Sequence, residues 1–255
     1  MAALIGAVGV ALAVGRRLSQ RAKAEYVLHV YDHCPFCNRV EWLMQRHGLA
    51  YKRVLYGYGA GAKPEKCEGH GYGEGPLHLT GQKMLPVLEG AGVPCAEGHK
   101  GLPESMEICA FLIGRHELVV PCESGRADIK RFTAELTALK PALCEHRMVR
   151  MPIKDWADPR DVAYRRYKKK LMGPLPPVEA QPKQLAELNA KLAELPPLLR
   201  GDGCLNQWGW GMDDVVLLPL LRSFTCVAGV AWPAQVEAYL GIEKTQMVDY
   251  RKHAL

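Results

Sequence analysis

The periodicity of apolar positions changes once along this chain. Between residues 26 and 116, short apolar runs alternate with helical spacing; from Arg126 onward only helical spacing recurs. Tyr26 to Tyr31 is short, apolar and aromatic-rich, which predicts a strand. Pro35 to His47 predicts a helix: Val40, Leu43, Met44 and His47 share one face, and Gly48 stops it. Ala50 to Tyr56 reads as a second strand. Lys83 to Leu88 is an apolar run interrupted by Pro86, a residue that suits an edge, a bulge or a strand start. Pro103-Glu104-Ser105 opens a helix to about His116, with Met106, Cys109, Ala110 and Ile113 on one face. This order of strands and helices makes a small α/β domain. Two glycine-rich stretches, 57–76 and 90–101, predict long loops of the kind that are functional or disordered.

Val119 to Gly125 contains Pro121 and Gly125 and reads as a linker. Beyond it, Ala127 to Leu139, Tyr164 to Leu171, Gln181 to Leu195, Met212 to Leu221 and Gln235 to Leu240 predict helices. Leu185, Leu188, Leu192 and Leu195 recur at three and four, while Met212 to Leu221 is apolar nearly all round, as in a helix at a domain centre. The predicted organisation is therefore a segment 1–24, an α/β domain 25–118, a linker 119–125 and an all-helical domain 126–255.

Composition adds three constraints. A hydrophobic fraction of 48% and a charged fraction of 24% are those of an ordinary globular protein. A net charge of +6 is mild and comes partly from Arg16, Arg17, Arg21 and Lys23, so it is weak evidence for a nucleic-acid partner, and none is expected. Nine scattered cysteines, an odd number, favour a reducing compartment over a disulfide-stapled fold. Met1 to Gly15 is apolar and uncharged, but at roughly 15 residues it falls short of the ~20 that span a bilayer. Its positive charge follows the apolar run, the reverse of a secretory signal. An organelle-targeting segment, mitochondrial or plastid, is the expectation. A membrane anchor with a cytoplasmic body and a plain extension fit the same residues.

Candidate chemistry concentrates at Cys34-Pro35-Phe36-Cys37. With nine cysteines in 255 residues, about 0.3 such pairs arise by chance, so spacing alone is weak. Position is what strengthens it: the pair follows a predicted strand and opens a predicted helix, the setting of a redox motif. Backbone N–H groups and the helix dipole at that point favour an anion, which makes Cys34 the expected low-pKa thiolate. Pro35 suits the first helical position, where its missing N–H costs nothing. Cys37 lies one turn on and can resolve a mixed disulfide. Half of a structural zinc site and two core cysteines are the other readings of the pair.

These residues also carry a family resemblance. Tyr31-Asp32-His33-Cys34-Pro35-Phe36-Cys37 resembles the Cys-Pro-Tyr-Cys active site of glutaredoxins. Thr80-Gly81-Gln82-Lys83-Met84-Leu85-Pro86-Val87-Leu88 resembles their cis-proline segment, and Pro103-Glu104-Ser105-Met106-Glu107-Ile108 their glutathione-holding turn. Asp213 to Arg222, followed by Val227 to Pro233, is similar to the helical domain of the two-domain glutaredoxins of bacterial type 2. The resemblance implies an N-terminal thioredoxin-like domain and a C-terminal all-helical domain, the fold of glutathione S-transferases. It implies a monomeric dithiol glutaredoxin that reduces protein–glutathione mixed disulfides and small disulfides, with glutathione as reducing co-substrate and no metal. Cys34 would attack and Cys37 resolve. Glutathione would lie against Cys34, Phe36, Leu85, Pro86, Glu104 and Ser105, with a cis Pro86 presenting the Leu85 backbone and Ser105 meeting the γ-glutamyl carboxylate. Phe36 stands where the family usually has tyrosine. A conjugating transferase of the same fold and a glutathione-liganded iron–sulfur carrier are the alternative functions; the first would want a Ser or Tyr hydroxyl in place of Cys34.

Four further features stand outside that pattern. Cys67 with His70 and Cys95 with His99 allow a Cys₂His₂ zinc site, a disulfide between the loops, or two unrelated loops. Tyr164 to Lys170 mixes basic and aromatic residues and reads as a solvated helix face rather than an RNA-binding one. Gly211 stands where Ser or Thr would cap the helix at Met212, which predicts a local stability cost. His33, next to Cys34, is the one histidine positioned to add positive charge there, and its adjacency reads as incidental.

Overall fold

A computed structural model describes residues 26–171, 173–177, 180–200 and 203–255. The expected targeting or anchoring segment, residues 1–24, lies outside the described residues. Tyr26–Val30 (β1) is one of the two inner strands of a four-stranded sheet of order β2-β1-β3-β4. Tyr51–Leu55 (β2) runs parallel to it, and Val87–Gly90 (β3) runs antiparallel on its other side. The sheet ends on a two-residue strand, Leu102–Pro103 (β4), antiparallel to β3. Leu28 and Val30 on one face and His29 on the other are all buried, as a strand covered on both faces requires. Pro35–Arg46 (α1) and Ser105–Arg115 (α3) pack together on the sheet, with Val40, Leu43, Met44, Ile108 and Leu112 in one core. A short helix, Leu77–Thr80 (α2), precedes the proline segment.

The helical half comprises Ala127–Met148 (α4), Pro159–Lys169 (α5), Pro182–Glu194 (α6), Met212–Phe224 (α7) and Ala234–Leu240 (α8). Helix α7 is the expected central helix. It packs against both α1 and α4, giving Val215 to the sheet-side core and Leu217, Leu218 and Leu221 to the helical core. Helix α4 continues past the expected end at Leu139, straight through Pro141. An internal proline costs about 3 kcal/mol. Leu143, Cys144 and Met148 beyond it are all buried, and each large apolar side chain returns about 1.5–3 kcal/mol, so packing overrides the breaker. Helix α5 starts earlier than predicted because Asp158 caps it, accepting from the Arg160 N–H at 2.9 Å, while Asp161 reaches back to the Asp158 N–H at 3.1 Å.

Gly211 is a correction to the sequence reading. The Met212 N–H donates to the Pro121 carbonyl at 2.9 Å, and a Cβ on Gly211 would stand 2.6 Å from that oxygen. Asp214 still accepts from the Gly211 N–H at 2.8 Å. The glycine admits a backbone cap from the linker, so no capping residue is missing.

The 57–76 loop is docked on α5. Asp161 accepts from the Gly59 N–H at 2.7 Å and from the Tyr72 hydroxyl at 2.8 Å, and the Arg160 guanidinium lies 4.0 Å from the Tyr72 ring centre. Cys67 is buried and donates to the Lys63 carbonyl at 3.1 Å; Cys95 is exposed and donates to the His99 carbonyl at 2.6 Å. The two thiols are separate, and among the described residues no three His, Cys, Asp or Glu side chains converge on a metal position.

Candidate active site

Strand β1 ends at Val30, and the chain turns: the Cys34 N–H donates to the Tyr31 carbonyl at 3.2 Å. Cys34 is the N-cap of α1 in extended conformation, Pro35 follows at the first helical position, and the Asn38 N–H closes the first turn onto the Cys34 carbonyl at 3.0 Å. The Cys34 side chain is half-buried and Cys37 is fully buried. A hydrogen bond from the Cys37 thiol holds the Cys34 pKa below the usual thiol value. Burial works against this, and the backbone N–H groups of Cys37 and Phe36 add to the lowering. Burial, and then the neighbouring Cys34 sulfur, push the Cys37 thiol well up. The two sulfurs are thereby made unequal, the outer one acidic and the inner one a proton donor.

The turn that carries Cys34 is pinned from the helical half. Asp155 accepts from the backbone N–H of Asp32 at 3.0 Å, from that of His33 at 2.9 Å, and from His33 Nδ1 at 2.5 Å. Arg165 Nη1 approaches His33 Nε2 at 3.5 Å, so Nε2 accepts and the ring is neutral with its proton on Nδ1. Burial lowers the His33 pKa, which agrees. His33 is therefore a clamp between the two halves and adds no positive charge beside Cys34. Asp32 is gripped from the other side by Arg222 of α7, by Arg53 at 2.7 Å and by the Tyr250 hydroxyl at 2.7 Å. Burial alone would raise the Asp32 pKa, but Arg222 and Arg53 overcome it and hold the carboxyl far below the usual range.

Leu85 and Pro86 are joined by a cis peptide bond, as expected. Val87 of β3 pairs with Pro103 of β4, and one step further along that register sets Pro86 beside Glu104. Glu104 caps α3 with φ 69° and ψ 116°, a conformation a non-glycine residue adopts at a cost of about 1–3 kcal/mol, and such strain collects at functional sites. Its side chain is exposed, and Ser105 beside it is buried at the helix N-terminus. Phe36 is 52% exposed, with the Arg39 guanidinium 4.8 Å from its ring centre.

Cys34, Phe36 and Leu85 open onto a cavity of about 500 Å³ between the two halves. Glu104 and Ser105 do not line it; they stand past Pro86. Its other walls were not anticipated. Lys83 donates to the Tyr31 hydroxyl at 2.9 Å and lies 4.6 to 5.0 Å from the ring centres of Tyr58, Tyr31 and Tyr164. Lys140, Arg165, Lys168 and Lys169 line the far side. The 164–170 segment, expected to be a solvated face, thus turns one side inward, with Arg165 buried and bonded to Glu145 at 2.6 Å. The three- and four-residue spacing of Arg165, Lys168 and Lys169 was the available signal. Tyr58, at the head of the glycine-rich loop, carried none.

Comparison with known proteins agrees with this architecture. The family model for the glutaredoxin 2 C-terminal domain matches residues 128–250. Glutaredoxin 2 of Escherichia coli strain K12 is 25% identical over 223 residues, covering 83% of this chain and 91% of that protein. A crystal structure of glutaredoxin 2 from Salmonella typhimurium in complex with glutathione superposes with a TM-score of 0.74 at 22% identity, covering 91% of this chain and all of the other. A glutathione S-transferase from Rhodospirillum rubrum shares the fold at a TM-score of 0.50 and 15% identity, over 89% of this chain and 90% of its own. Residues 128–250 are thus similar to the glutaredoxin 2 C-terminal domain, and the chain as a whole shares the fold of glutaredoxin 2, a helical half joined to a thioredoxin-like domain that carries the cysteine pair.

Proposed function

We propose that this protein is a glutathione-dependent thiol–disulfide oxidoreductase acting through Cys34. The observation that carries the reading is the placement of the two sulfurs at the head of α1, a half-buried Cys34 at the N-cap backed by a buried Cys37, and the opposite directions of their pKa shifts agree with it. Similarity to glutaredoxin 2 across both halves supports it, as does the glutathione bound in the Salmonella relative.

The Cys34 thiolate attacks the glutathione sulfur of a mixed disulfide. The sulfur–sulfur bond breaks, the partner leaves as a thiolate and takes up a proton, and Cys34 is left glutathionylated. A second glutathione thiolate attacks the bound glutathione sulfur, which releases oxidised glutathione and restores the Cys34 thiolate. With a protein disulfide, Cys34 forms the mixed disulfide and Cys37 displaces the partner to give a Cys34–Cys37 disulfide, which two glutathione molecules reduce. In this reading glutathione pairs with the Leu85 backbone beside Pro86, its γ-glutamyl end meeting Glu104 and Ser105 at the start of α3. Phe36 covers the reacting sulfurs without a hydroxyl.

The test is a glutathione-coupled reduction assay on the wild type, Cys34→Ser and Cys37→Ser. Cys34→Ser loses all turnover. Cys37→Ser loses protein-disulfide reduction and keeps deglutathionylation, which needs only the attacking thiol. A folded Cys37→Ser protein without deglutathionylation would overturn the mechanism. Targeting by residues 1–24 belongs to the same proposal, and localisation of those residues fused to a fluorescent protein tests it.

A further inference from the structure

The cavity beside Cys34 carries more positive charge than the exchange reaction itself requires. Five cations line it, against Glu145 as its one carboxylate. Glu145 is already engaged by Arg165 at 2.6 Å and by Lys169 at 3.5 Å. Lys83, Lys140 and Lys168 have no carboxylate within ion-pair distance among the described residues. Lys83 is held instead by the Tyr31 hydroxyl and three aromatic faces, with Lys168 5.8 Å from the Tyr58 ring centre. Burial and the nearby Lys168 lower the Lys83 pKa to about 8, and burial lowers that of Lys140 as well. Ammonium groups crowded into a partly desolvated pocket are stabilised when an anion enters, because each then gains a charge-assisted hydrogen bond in a medium of reduced dielectric.

We propose that this cavity is a subsite for the non-glutathione arm of the substrate, and that it selects a small thiol compound bearing two or more carboxylates near the reacting sulfur. The inference rests on the exchange reaction proposed above. The lining supports it: the cavity includes Cys34 and Leu85 but not Glu104 or Ser105, so glutathione held by the latter points its partner into the cationic side. A volume of about 500 Å³ falls in the range of small-ligand sites, 300–1,000 Å³. The arm that occupies it departs as a thiolate, and Lys83 and Lys140 stabilise that charge as the disulfide breaks. Atoms and electrons balance as in the exchange above, the thiolate taking a proton on release.

The test compares three glutathione mixed disulfides that differ in the charge of the second thiol: mercaptosuccinate, 2-mercaptoethanol and cysteamine. For each, kcat/KM is divided by the rate constant of the uncatalysed reaction with glutathione. The wild type favours the mercaptosuccinate adduct over the mercaptoethanol adduct by about tenfold or more, the effect of one hydrogen bond to a charged group, and disfavours the cysteamine adduct. The anionic-to-neutral ratio falls about tenfold in Lys140→Met and in Lys83→Met. The ratio cancels any general loss of activity in a variant. A wild-type ratio near one, or a ratio undiminished in both variants, overturns the subsite while leaving the exchange reaction standing. Failure to turn over the neutral adduct, or turnover that survives Cys34→Ser, removes the exchange reaction itself and the subsite with it.

Discussion

Asp155→Ala strikes the contact by which the helical half holds the nucleophile's turn. The carboxylate is fully buried and accepts three hydrogen bonds, from two consecutive backbone N–H groups at 3.0 and 2.9 Å and from His33 Nδ1 at 2.5 Å. Truncation leaves three buried donors without an acceptor, at about 1–3 kcal/mol each. The space vacated by the carboxylate can admit water to some of them, which places the total near the lower end, about 3 kcal/mol. Urea unfolding followed by tryptophan fluorescence measures it, with an unchanged slope as the sign that only stability moved. A double-mutant cycle with His33→Ala then gives a coupling of about 1 kcal/mol or more for the ring contact. A loss below about 1 kcal/mol, the size expected of an exposed carboxylate, would refute the clamp.

Gly211→Ser, which a capping rule would class as stabilising, destabilises by about 1–3 kcal/mol because its Cβ meets the Pro121 carbonyl; a rise in the unfolding midpoint would contradict this. Gly57→Ala puts a Cβ 2.2 Å from the Tyr72 hydroxyl and 2.8 Å from Asp161, so the 57–76 loop lifts from α5 and its cleavage by a broad-specificity protease accelerates; wild-type resistance would sink the docking argument. Stability falls as pH drops through about 6.5, because burial depresses the His33 pKa and the unfolded state then binds the extra proton. It falls again below about pH 4, where Asp32, depressed by Arg222 and Arg53 against burial, loses the contribution it makes above its unfolded value. His33→Gln reduces the slope of stability between about pH 7.5 and 5.5, and an unaltered slope would refute the assignment.

What the sequence determined by itself was the local chemistry and the order of elements. Strand β1, the turn and α1 were legible because apolar period, Pro35 and Gly48 act within a few residues of where they stand. The same holds for Cys34 at the helix head, for Pro86 before β3 and for Glu104-Ser105 at the start of α3, each of which marks an element boundary. Long-range pairing decided the rest. Helix α4 runs through Pro141 because burial against a distant helix outweighs a local breaker. Gly211 is a fitted cap only once the Pro121 carbonyl is beside it. Asp155 lies more than a hundred residues from the turn it clamps, and nothing in its neighbourhood along the chain announces that role. The cationic wall facing Cys34 is assembled from the proline segment, α4 and α5. Side-chain type and spacing are properties of one segment, whereas the field inside a cavity is set by which segments the fold brings face to face.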